Sequence, residues 1–166
     1  MTTFSFETVA KDKKTRARAG IIRTPHGSIE TPAFSVVGTR ASVRSLSPEE
    51  LKEAGSQVVL ANTYHLYLRP GVDVIKSFGG FAPFMGWDGP TITDSGGYQV
   101  SFLWTPKGDA EESSRVSKIS DEGATFISHI DGSKHLLTPE KSMEIQKTLG
   151  ADIIMAFDQP LGSSDS

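Results

Sequence analysis

The sequence contains no cysteine. That excludes disulfides, a thiol nucleophile and any cysteine-ligated zinc among these 166 residues. Long apolar runs are missing too. A stretch such as Ile153–Phe157 falls far short of the ~20 residues that a membrane span needs. The N-terminal MTTFSFETVAKDKK has no apolar core of the signal-peptide kind, so the expected compartment is the cytoplasm. An excess of basic charge is also absent, with 17 Lys and Arg against 20 Asp and Glu and a net charge of −3. No overall positive field advertises nucleic acid. The distribution is uneven, however, since residues 1–52 carry nine basic against five acidic side chains. Neither GxGxxG nor GxxxxGK[ST] occurs, and HExxH or another ligand-spaced cluster is lacking, so no metal site is expected within the chain.

What is present is an ordinary globular composition, 37% hydrophobic and 22% charged, whose length suggests one domain. FSFETVA (4–10), the turn KDKK and ARAGIIRT (17–24) read as an N-terminal hairpin, with TPHG and TP (31–32) as turn punctuation. FSVVG (34–38), QVVLAN (57–62), PTIT (90–93) and DIIMAF (152–157) read as short buried strands. Ser47-Pro48-Glu49-Glu50 predicts a capped helix start with Gly55 as its stop, and Val72–Phe78 a second helix ended by Gly79-Gly80. ATFISHI, Asp131-Gly132 and HLL form a hairpin signal, and Thr138-Pro139-Glu140 caps a helix that runs to Gly150. Strands alternating with helices favour a parallel α/β sheet. Four such strands are too few to close an eight-stranded barrel. The chain is therefore either a small open sheet or part of something larger.

Asp94 and Asp158 each follow a short apolar strand directly. Ligands of parallel α/β folds sit at the carboxyl ends of strands, so the two carboxylates could share one pocket. There they could accept from a substrate rich in N–H groups, or divide acid and base roles. The plainer alternative is that each caps its own turn. Ser95-Gly96-Gly97 would let a ligand approach the backbone closely, or would be a tight turn and nothing more. Tyr98 could stack on a planar ring or belong to the core or rim. Asn62 and Thr63, after the preceding strand, could hold the Asp94 carboxylate in position. His65 is a candidate base or a structural histidine, and His129 and His135 are expected to face solvent or each other. Trp87, Trp104, Phe81, Phe84 and Phe102 read as core packing. The Lys11–Arg23 cluster reads as a solvated hairpin, with RNA contact as the alternative.

Four strings carry more than composition. TPAFSVVGT (31–39), LANTYHLYLRPG (60–71), FMGWDGPTITDSGGYQV (84–100) and SHIDGSKHLLTPEKSMEIQKTLGADIIMAFD (128–158) together resemble the tRNA-guanine transglycosylases, also called queuine tRNA-ribosyltransferases. The resemblance spans nearly the whole chain. It implies α/β architecture as the first half of a (β/α)8 TIM barrel, with an N-terminal antiparallel sheet over residues 1–30 and the barrel half over 31–166, a β-hairpin insertion included. It implies exchange of guanine at the tRNA wobble position for a 7-deazaguanine such as preQ1 or queuine, a step of queuosine formation. The family's acid/base aspartate, which also binds the base, corresponds to Asp94. The stacking tyrosine corresponds to Tyr98, and the aspartate that reads the base's pyrimidine edge to Asp158, with Ser95, Gly96 and Gly97 in the same substrate-binding stretch.

The family's nucleophilic aspartate, its later guanine-binding residues and its zinc site of three cysteines and one histidine belong to the second half of the barrel. No cofactor is therefore expected in these residues, and the isolated chain is expected to be inactive. The partners implied are tRNA, the guanine or 7-deazaguanine base, and either further copies of the chain or the missing C-terminal half, with no membrane. Two departures stand out. TPKGDAEESS (105–114) reads as an insertion, and Gln159-Pro160 stands where bacterial members usually carry Glu-Cys. A proline there cannot donate a backbone N–H to a ligand. The alternatives are a non-catalytic subunit that binds tRNA or the base, and an inactive fragment.

Overall fold

A computed structural model describes residues 4–102 and 118–160. Trp104 and the 105–114 stretch lie outside these residues. The fold is mixed α/β, with one parallel sheet and two antiparallel ones. Strands β1 (Ser5–Lys11), β2 (Arg18–Thr24) and β3 (Gly27–Thr31) form the first antiparallel sheet in that order. The hairpin is as expected, and β3 is an added strand between the two stretches read as turn punctuation, sharing only Gly27 and Thr31 with them. It is short and polar, and Ile29 is the one side chain in it that is buried.

The parallel sheet contains β4 (Val36–Val37), β5 (Val59–Ala61), β6 (Thr91–Thr93) and β10 (Ile153–Ile154). Its spatial order is β10-β6-β5-β4, so each strand lies beside the one that precedes it in this set. The connections carry short helices. Helix α1 (Pro48–Glu53) starts as its sequence predicts: the Ser47 hydroxyl accepts from the Glu50 amide and the Glu50 carboxylate accepts from the Ser47 amide. Helices α2 (Thr63–Leu66), α3 (Val72–Ser77) and α4 (Phe81–Met85) follow β5, and α5 (Gly97–Phe102) follows β6. The last antiparallel sheet is β7 (Lys118–Ser120), β8 (Gly123–Ile127) and β9 (Lys134–Leu137), so the expected hairpin has a third, wholly exposed strand. Helix α6 (Pro139–Leu149) runs from the Thr138 cap to Gly150 and leads into β10.

The main core joins Tyr64 and Leu66 of α2, Ile75, Phe81, Val100, Phe126 of β8, and Ile145 and Leu149 of α6. A second cluster packs Leu51 and Val59 on Trp87, whose indole N–H donates to the Pro90 carbonyl. His129 is exposed, as expected, whereas His135 is half-buried. The Tyr64 hydroxyl meets His129 Nδ1 at 3.2 Å and the Tyr67 hydroxyl meets His135 Nδ1 at 2.8 Å, because the hairpin folds back over α2. His135 also stacks on Phe126.

Two polar ties fix β10. At its start, the buried Asp152 carboxylate accepts from the Thr91 amide at 2.9 Å and contacts His26 Nδ1 at 2.7 Å, linking the first antiparallel sheet to the parallel one. At its end, Gln146 of α6 takes over from the ladder. Its Oε1 accepts from the Met155 amide and the Thr93 hydroxyl, and its Nε2 donates to the Met155 carbonyl. That substitution explains why β10 is two residues long where a strand over 152–157 is expected. Among the described residues no helix is long and apolar enough to cross a membrane.

Candidate functional site

Three neighbouring parallel strands deliver the predicted residues to one end of their sheet. Asn62 and Thr63 follow β5, Asp94 follows β6, and Asp158 lies beyond β10. Asp94, Ser95, Gly96, Tyr98, Gln99, Met155, Ala156 and Asp158 line a single open cleft of about 500 Å³. That is ample for a bicyclic base, and its walls mix acceptors with apolar surface as ligand sites do.

Asp94 is held from behind. The Thr63 amide donates to its Oδ1 at 2.8 Å, and the Asn62 carboxamide donates to Oδ2. The Thr63 hydroxyl donates to the Asp94 carbonyl oxygen. Asn62 caps α2 at the same time, its Oδ1 accepting from the His65 amide at 3.0 Å. One side chain thus fixes both the helix and the carboxylate. Burial pushes the Asp94 carboxyl above the ordinary carboxylate value. The Thr63 and Gly96 amides and Asn62 pull it down, and the nearby Asp158 charge pushes it up again.

Asp158 is exposed, and it accepts from the Ser95 hydroxyl. Ser95 Oγ in turn accepts from the Gly97 amide at 3.0 Å. The glycines here have distinct reasons. Gly96 has φ +81°, which L side chains rarely adopt, and a Cβ on Gly97 would lie 2.1 Å from the Asp158 carbonyl oxygen. The loop therefore runs directly against the segment that follows β10. Tyr98 opens onto the cleft with 57% of its surface exposed.

His65 lies beside this group. Burial, then the charges of Arg40 and His129, keeps its pKa below the ordinary histidine value, and its ring meets Tyr64 edge-on. That arrangement favours a neutral, packed histidine over a proton acceptor in the cleft. Among the described residues no group of three His, Asp or Glu side chains could hold a metal ion.

A family model described as queuine tRNA-ribosyltransferase matches residues 12–166. The chain belongs to that family.

Queuine tRNA-ribosyltransferases of individual bacteria are similar to it over most of its length. The one from Desulforamulus reducens is 56% identical over 149 residues, covering 90% of this chain and 38% of the relative. That of Caldanaerobacter subterraneus is 52% identical over 159 residues, covering 96% and 40%. That of Roseiflexus sp. is 50% identical over 166 residues, covering 95% and 42%. The chain spans about two fifths of the length of these relatives.

Two residues of this chain shape the cleft without having been singled out in its sequence. Ser142 donates to the Ser95 carbonyl at 2.7 Å, and Gln146 holds the Met155 backbone as described. Both are fully buried, one turn apart on α6. The signal was the pairing of polar positions 142 and 146 with the apolar stripe of Ile145 and Leu149, a polar pair on a core-facing surface.

Proposed function

We propose that the cleft binds a guanine-type base, and that with the rest of the family's length the protein is a tRNA-guanine transglycosylase. It would exchange guanine at the tRNA wobble position for a 7-deazaguanine. The observation that carries this reading is the convergence of Asp94, Asp158 and the exposed Tyr98 on one cleft. Carboxylates are acceptor-only groups when ionised, suited to the N–H edge of such a base. Tyr98 is the stacking platform, and Ser95, Gly96 and Gly97 form the close backbone wall.

Asp94 is the general acid and base, handling the proton that the base loses or gains as the glycosidic bond changes partner. Its burial supports this role, because a raised pKa keeps a carboxyl able to donate as well as accept. Asn62 and Thr63 are positioning residues for it. Asp158 reads the pyrimidine edge, with Ser95 bracing it. Exchange with retained configuration proceeds through a covalent nucleophile. That nucleophile and the family's zinc site are assigned to the part of the family's length that these residues do not span.

The sequential, unreversed order of the four parallel strands supports a half-barrel over 31–166 preceded by the β region of 1–30. A doubly wound sheet would reverse its order at a switch point. tRNA and the completing half, or further copies of the chain, are the partners, in the cytoplasm. Calorimetric titration of guanine tests the base-binding step. Binding that falls roughly 10- to 100-fold in Asp158→Asn supports it, given the worth of hydrogen bonds to a charged group. Equal binding by the variant overturns it.

A further inference from the structure

β10 and β6 run parallel, with Ile153 beside Ile92 and Ile154 beside Thr93. The Thr93 hydroxyl donates to Gln146 of α6, so its side chain turns toward that helix. Side chains of an extended chain alternate between the two faces of a sheet. The next residues along, Asp94 and Met155, therefore fall side by side on the face away from α6. Both line the open cleft. Met155 is 42% exposed, although its amide and carbonyl are both bound by the buried Gln146 carboxamide. What it exposes is therefore chiefly its side chain. Among the cleft residues, Tyr98 and Met155 are the two large exposed hydrophobics. A planar base gains little from its polar edge alone, because hydrogen bonds made there replace hydrogen bonds to water. Covering its ring with apolar groups supplies much of the rest. A thioether suits this, being polarizable, unbranched and favourable against an aromatic ring.

We propose that Met155 is a further binding residue, its thioether arm packing on the ring of the base while Asp94 beside it meets the polar edge. The assignment rests on the base-binding reading of the cleft. It adds a second apolar surface to that of Tyr98. Gln146 belongs to the same device, since holding the Met155 backbone by both of its polar groups fixes where the arm leaves the chain.

The test is titration of guanine into the chain, Met155→Ala, Met155→Leu and Asp158→Asn, with thermal midpoints measured on each. Both substitutions at 155 keep the backbone groups that Gln146 binds. The expected result is a roughly three- to tenfold weaker affinity for Met155→Ala at an unchanged midpoint, with most of the loss recovered by Met155→Leu, which restores apolar bulk. Unchanged affinity in Met155→Ala alongside a loss in Asp158→Asn overturns the Met155 assignment while sparing the base site. A lowered midpoint with unchanged affinity assigns Met155 to the fold and equally overturns it. So does a loss in Met155→Leu as large as that in Met155→Ala. Failure of the unsubstituted chain to bind guanine overturns both readings.

Discussion

Ser95 donates its hydroxyl to the Asp158 carboxylate, so the residue that follows one strand-end aspartate braces the other. The two acids are thereby coupled mechanically as well as by charge. Ser95→Ala is expected to leave the fold intact and to weaken guanine binding roughly tenfold. Calorimetric titration measures this, and an unchanged dissociation constant would contradict the bracing role.

Gly97 admits no side chain, since a Cβ there would meet the Asp158 carbonyl oxygen at 2.1 Å and its Oδ1 at 2.8 Å. Backbone atoms cannot step aside as a flexible side chain can. Gly97→Ala should therefore cost about 1–3 kcal/mol of stability, in the range of overpacked sites. It should also displace Asp158 and lower base affinity. Denaturant unfolding alongside titration reads both effects.

Gln146 replaces the strand ladder where β10 ends, serving Thr93, Ser142 and both polar groups of the Met155 backbone. Gln146→Leu leaves the buried Thr93 hydroxyl without its acceptor and the Met155 amide and carbonyl without their side-chain partner. A loss of roughly 2–4 kcal/mol is expected, because each orphaned group is costly. Gln146→Glu keeps the acceptor but loses the donor, and should fall between the two in a thermal melt.

Much of this architecture is legible in the chain itself. The capping box at Ser47 and Glu50 and the Thr138-Pro139 start of α6 follow from local chemistry that tertiary structure does not override. The apolar runs before Asn62 and Asp94 mark strand ends for the same reason, whereas the run before Asp158 overshoots its strand, which stops at Ile154. Strands β3 and β7 escape because they are short and polar, and pairing with a neighbour, not burial, makes them strands. Ser142 and Gln146 escape because polar residues on helices normally face water. Their place beside the Ile145–Leu149 stripe marks the buried face, but which backbone groups they serve depends on what packs against them, which periodicity alone does not contain. The Asp152–His26 contact escapes too, for it joins residues 126 positions apart.

Asp94 also makes a prediction about pH. Its folded-state pKa is raised, chiefly by burial, so its ionisation opposes folding. The stability it contributes is complete below the unfolded carboxylate pKa of about 3.9 and is lost as pH rises through the folded value. Asp94→Asn cannot ionise. The midpoint difference between the variant and the parent should therefore move in the variant's favour from about pH 4 to about pH 7. A pH-independent difference would contradict the raised pKa.

The most direct measurement is incorporation of labelled guanine into tRNA by the 166-residue chain, alone and with the remaining length of a relative supplied in trans. Exchange is predicted only on complementation, and Asp94→Asn should reduce it by about 10²- to 10⁴-fold as loss of a general acid/base does. Exchange by the chain alone would place a nucleophile within these residues. Near-normal turnover by complemented Asp94→Asn would remove Asp94 from the chemistry, and either result would contradict the account.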